Sequence, residues 1–316
     1  MKHRHLLLIS AMLLLGQVAF AQAGKQIITI SHQYVNEPGC HEEATFEYDG
    51  HGRLLHARTL DYDDLGDENL WVTDYDYSGV PSQITSTTQG IMFGYTVYFY
   101  AHADLTANRV TEITIKQEVP LASYSSTGKM TLEYDALGRI AKSWTTDDDG
   151  DNDESIIGWE DGNPVTATET GHDETNISTY IFDLSKPAPR SAEMCYMLMG
   201  MPIDVTGTQV LMGMYNYMGY TPKNLVIGEK HTRNGGTTSE RNFVYGYDAD
   251  GDISSIEIYK DGKLTDTYNL GLTAAGVQEV EVEKSSSPFY TLQGYQTSAP
   301  RKGTIYIRNG RKVVSK

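Results

Sequence analysis

The pattern Tyr-Asp-x-x-Gly occurs four times, at Tyr48–Gly52, Tyr75–Gly79, Tyr134–Gly138 and Tyr247–Gly251. A near-copy runs from Tyr215 to Gly219 with Asn216 in the Asp place, and weaker echoes lie at Trp159–Gly162 and around Tyr100. The intervals fall near multiples of about 28 residues, the mark of one supersecondary unit repeated along the chain. Ahead of the motif, apolar and polar residues alternate: Met130, Leu132 and Tyr134 share one face, as do Phe243, Tyr245 and Tyr247. Such alternation makes a half-buried strand. Asp then opens a turn by accepting from nearby amides, and Gly supplies the positive φ that the turn requires. A second strand follows. Val110, Ile113 and Ile115 share their spacing with Ile253, Ile256 and Ile258, and a step of three before a step of two predicts a bulge at the strand start.

Each unit is therefore a hairpin, and about eight hairpins give an antiparallel meander of about sixteen strands. A sheet that wide must curl or close. The expected fold class is mainly β, an open or closed barrel or a strongly curved sheet over residues 24–284, followed by a small C-terminal β tail over 285–316. The chain has 22 Tyr against 7 Phe, and Tyr forms strands well while its hydroxyl reaches water. A barrel that spans an outer membrane needs a lipid-facing apolar band. Thr111-Glu112 and the run Glu279–Lys284 instead make strands polar on both faces, which favours a barrel surrounded by water.

Residues 1–23 read as a secretory signal. A basic start, Lys2 to His5, precedes the apolar run Leu6–Leu15, and Ala19, Ala21 and Ala23 offer small-residue cleavage sites. The apolar run is too short for a spanning helix, which needs roughly 20 residues, and no later segment reaches that length. The expected location is outside the inner membrane: the cell surface or the medium, otherwise the periplasm. Lys+Arg number 25 against 42 Asp+Glu, a net charge of -17. That balance repels phosphate backbones and argues against nucleic acid as a partner.

Cys40 and Cys195 are open to two readings. In an oxidising compartment they pair and close a long loop, or they are separate thiols in apolar surroundings. Asp147, Asp149, Asp151 and Asp153 put carboxylates at alternate positions around Gly150. Calcium accepts such oxygens, although Thr145 and Ile156 stand where an EF-hand loop needs ligands; the other reading is a solvated loop. Calcium is the one cofactor the sequence suggests. The histidines form no HExxH spacing, and no GxSxG or phosphate-cradling glycine loop is present. Carboxylates suited to glycoside hydrolysis are abundant, but their separation in space is not legible. Val210, Met214 and Met218 have helical spacing and predict a short helix that plugs an irregular core or a barrel mouth.

Tyr134–Ile140 resembles the YD repeat of Rhs-type proteins, although Val80 and Asp252 depart from its Gly-Arg step. The wider pattern is similar to a secreted Bacteroidetes family of unknown function, a resemblance that implies a porin-like β fold and supplies no catalytic residues. The tail resembles the end of type IX secretion sorting domains: Phe289–Gly294, then Lys302–Val314 with Asn309-Gly310 as a hairpin turn. That resemblance implies secretion machinery as a partner, reached through a Ser-rich linker at Ser285–Pro288. The function expected is an exported, non-enzymatic binding protein whose ligand is a glycan or a protein. The alternative is a secreted carboxylate-dependent glycan hydrolase.

Overall fold

The computed structural model describes residues 25–37, 39–62, 68–92, 94–148, 150, 152–171, 174–188 and 208–273, and the tail segments 289–290, 296–297, 305–308 and 311–314. The signal segment, Asp149, Asp151, Cys195, Met194, Met197, Met199, Met201 and the Ser285–Pro288 linker lie outside the described residues. The chain divides into two compact units, Met1–Ala274 and Ala275–Lys316.

The first unit is a closed antiparallel barrel of sixteen strands. They are β1 (Gln26–Tyr34), β2 (His41–Tyr48), β3 (Leu54–Tyr62), β4 (Glu68–Asp76), β5 (Gln83–Met92), β6 (Tyr95–Thr106), β7 (Arg109–Val119) and β8 (Tyr124–Tyr134). The second half continues as β9 (Ile140–Thr146), β10 (Asn152–Glu160), β11 (Asn163–Gly171), β12 (Glu174–Pro187), β13 (Asn224–Arg233), β14 (Thr237–Tyr247), β15 (Ile253–Lys260) and β16 (Lys263–Thr273). Each strand pairs with its sequence neighbour, and β1 closes the ring on β16. The expected bulges are present: Thr111 opposite the Asp104–Leu105 step and Ser254 opposite Gly246–Tyr247 are the extra residues.

Because the strands run alternately up and down, the turns after β2, β8 and β14 share one end of the barrel. These are three of the Tyr-Asp turns, and they are built alike. Asp49 Oδ1 accepts the amides of His51 and Arg53, Asp135 Oδ1 those of Leu137 and Arg139, and Asp248 Oδ1 those of Asp250 and Asp252. The glycines at 52, 138 and 251 adopt φ of 78°, 75° and 88°, a region closed to most side chains. The second carboxylate oxygen takes a cation. Arg53 Nε donates to Asp49 and Arg139 Nε to Asp135, each at 2.7 Å. Where Asp252 replaces that arginine, Lys25 crosses from the start of β1 to Asp248 at 2.5 Å, so the departure from the motif is made good by a residue far away in sequence.

Two repeat assignments need correction. Tyr215–Gly219 is no hairpin turn. It belongs to a segment in which α1 (Thr208–Leu211) runs into a 3₁₀ helix (Met212–Tyr217). Tyr100 sits inside β6, and the turn that follows is Ala107-Asn108. Each resemblance was local, and the apolar residues around Tyr215 outweigh it by packing into the lumen. Val210, Leu211, Met212, Met214 and Met218 are all buried. Tyr77 Oη donates to the Gly213 carbonyl at 2.9 Å, and Ser86 Oγ to that of Val210 at 2.8 Å. The described part of the Met-rich segment, residues 210–218, is thus a plug, seated at the Tyr-Asp end.

Inward side chains form the core, and the outer wall is mixed: polar residues dominate on some strands, while Leu55, Ile156, Ile177, Ile181 and Val244 are exposed on others. Along β5, Ile84, Ser86, Thr88 and Gly90 are buried, while Gln83, Thr85, Thr87 and Gln89 are exposed. Outward ion pairs join Lys129 to Glu112, His56 to Asp74 and Lys230 to Glu240.

In the second unit, β17 (Phe289–Tyr290), β18 (Gln296–Thr297), β19 (Ile305–Arg308) and β20 (Arg311–Val314) form a four-stranded sheet in the order β18-β17-β19-β20. The pair expected around Asn309-Gly310 is β19 with β20.

Candidate functional site

The opposite end of the barrel carries the far ends of β1, β13 and β15. There the inner wall changes character. Period-two alternation puts Tyr180, Glu229 and Arg241 on the inner face of β12, β13 and β14, and Lys260 stands opposite Arg241 on β15. Glu229 is 4% exposed and accepts from Arg241 Nε. One layer across, Tyr268, His32 and Glu42 are in register on β16, β1 and β2.

His32 is the centre of this layer. Its ring stacks on Tyr268 at 4.0 Å and leans on Tyr34 at 4.2 Å. Nε2 lies 3.0 Å from Asp266 Oδ1, and Nδ1 lies 3.8 Å from Glu42 Oε2. Burial opposes a charge on His32, but Asp266 and Glu42 outweigh it and raise the ring above its ordinary value of 6.5. Burial likewise opposes the Asp266 charge, and hydrogen bonds from His32 and Thr265 hold that carboxyl below its ordinary 3.8. Tyr34 is pushed up to about 12, by burial first and then by Glu42, Asp61 and Asp266.

A cavity of about 440 Å³ opens beside this network, lined by Tyr34, Asn36, Glu37, Arg241, Ile258, Lys260, Thr265 and Asp266. Its size is that of a small-molecule site, and its lining supplies hydrogen-bond donors and acceptors around one aromatic ring.

The pH dependence follows from the His32–Asp266 pair. A raised histidine stabilises fully below its unfolded value of 6.5, and that gain is lost as pH rises through the folded value. A lowered aspartate stabilises fully above 3.8, and the gain is lost as pH falls through its folded value. The pair therefore contributes most between about pH 4 and 6.5. Thermal midpoints measured at successive pH values should fall above that window by more in the wild type than in His32→Gln. Parallel curves would rule out a stabilising charge on His32.

The residues singled out in the sequence lie elsewhere. Asp147 ends the loop's first half after β9, Asp148 accepts the Thr127 amide, and Asp153 lies across Gly171. Asp149 and Asp151 are outside the described residues. Among the described residues, no group of three or more His, Cys, Asp or Glu is placed to hold a metal. Cys40 is half-buried just before β2, its amide donating to the Glu37 carbonyl at 2.8 Å. Neither Asp147 nor Asp153 lines the cavity. One signal of this region was legible in the sequence: His32 and Glu229 put polar groups on the buried side of alternating strands.

No family model matches the chain, and no curated protein matches it. Among solved structures it is similar to a porin-like protein from Bacteroides uniformis ATCC 8492, with a TM-score of 0.55 and 13% identity over 80% of this chain and 100% of that one. A porin-like protein from Bacteroides vulgatus ATCC 8482 gives 0.54 and 14%, over 76% and 97%. The fold is porin-like. At these identities the likeness extends to architecture alone. No helix among the described residues is long and apolar enough to cross a membrane, which says nothing of a β-barrel.

Proposed function

We propose that the chain is an exported, non-enzymatic binding barrel, a cup plugged at the Tyr-Asp end that takes a saccharide at the open mouth. The observation that carries this is the mouth cavity, where Tyr34 stands among Asn36, Glu37, Arg241, Thr265 and Asp266. An aromatic face with several hydrogen-bonding groups suits a ring bearing many hydroxyls. The porin-like fold of the Bacteroides neighbours supports a place at the cell surface or outer membrane. The tail is read as the element that meets secretion machinery. Hydrolysis is the weaker reading, because a general acid needs a raised carboxyl pKa and Asp266 is held ionised beside His32.

Glycan arrays and calorimetry with the full exported chain test this. Oligosaccharide binding should appear without turnover, and Tyr34→Ala should weaken it by about tenfold or more. Release of any sugar product would replace the binding reading with the hydrolase.

A further inference from the structure

The mouth carries cations in cross-strand register. Arg241 on β14 stands directly opposite Lys260 on β15, and Lys260 directly opposite Lys263 on β16. Three cations are thus in cross-strand register on one face. Like charges directly opposite each other are destabilising. The chain has 42 Asp and Glu to neutralise them, yet only Arg241 is matched, by the buried Glu229. Lys260 and Lys263 take part in no ion pair among the described residues, although Lys260 lines the cavity. Of the two cavity carboxylates, Glu37 and Asp266, Asp266 is already engaged by His32 and Thr265.

We propose that the ligand of this cavity is an acidic saccharide, and that its anionic group sits on the Lys260–Lys263 pair. The inference rests on the saccharide reading of the mouth and adds the charge of the ligand. The geometry divides the labour. Tyr34 and Ile258 offer apolar surface to a sugar ring. Asn36, Glu37 and Thr265, at the rim, meet its hydroxyls. The two ammonium groups meet the anion as point charges, which do not select between the planar carboxylate of a uronic acid and the tetrahedral sulfate of a sulfated sugar, as a guanidinium fork would. A bound anion would offset the like charges that the register places opposite each other. Steering from the whole protein opposes an anion, since the net charge is negative. The preference is therefore local, and added salt should weaken it.

The test is calorimetry on the full exported chain and on Lys260→Gln, Lys263→Gln and the double variant. The probes are one neutral oligosaccharide, its uronic-acid counterpart and its sulfated counterpart. The wild type should bind at least one acidic probe about tenfold more tightly than the neutral one, a charge-assisted contact's worth. The double variant should lose that preference and bind the acidic and neutral probes alike. Which acidic probe binds identifies the anion. Without ligand, Lys260→Gln should melt slightly higher than the wild type, by about 1–2 °C, because it removes a like-charge contact. Equal binding of acidic and neutral probes, or an acidic preference that survives in the double variant, overturns the assignment and leaves the saccharide site standing. Binding of none of the three probes would overturn both.

Discussion

Replacing Arg241 with methionine should cost the barrel about 3–5 kcal/mol, the penalty for leaving a buried charge without its partner. Glu229 is 4% exposed and sits between Tyr180 and Arg241 on the inner wall. With the guanidinium gone, its carboxylate has neither water nor a cation. A typical domain has 5–15 kcal/mol in total, so the loss is a large share of the whole. The companion variant decides the cause. Glu229→Gln combined with Arg241→Met removes both charges and should recover most of the stability. Urea denaturation of the three proteins measures this. If the double variant is no better than Arg241→Met, the arginine acts by packing its stem against Phe243, over whose ring its guanidinium lies at 5.7 Å.

The second large effect concerns the plug. Met214 and Met218 are both 0% exposed and lie four residues apart on the segment that fills the turn end. Either changed to alanine leaves a cavity that the surrounding strands cannot collapse into, since the hydrogen bonds of a closed barrel fix their spacing. The expected cost is about 2–5 kcal/mol for each. Their proximity makes the pair non-additive. Leu137→Ala, at an exposed position in a Tyr-Asp turn, should stay within about 0.5 kcal/mol. Loss of the plug should also open apolar lumen to dyes such as ANS at temperatures where the strands remain folded. Unchanged midpoints in both methionine variants would mean that the barrel is stable without its plug.

Much of the fold was legible in the sequence because the Tyr-Asp turn is a local device. Asp49, Asp135 and Asp248 find their amide partners within four residues, so the motif carries the whole turn. The alternation of Ile84, Ser86 and Thr88 with exposed polar residues carries the strand. What could not be read was the content of the lumen. His32 and Asp266 meet across 234 residues, a contact set by which strands close the ring. Tyr215–Gly219 misled for the same reason in reverse: a local likeness was overruled by packing against Tyr75 and Tyr77. The acidic loop drew attention by composition, while the cavity is lined by ordinary residues brought together from the two ends of the chain.

The seam between β1 and β16 also governs how such a chain becomes a folded protein. Every other strand pairs with a neighbour that leaves the ribosome or a translocation pore just before or after it. β1 alone among them waits for residues 263–273, the last of the barrel. Until then one edge of β1 stays unpaired, Lys25 has no Asp248, and His32 has no Asp266. Loop closure over such a distance is slow. The ring therefore stays open until residues 263–273 reach β1, and the last strand of the barrel to be made is the one that closes it.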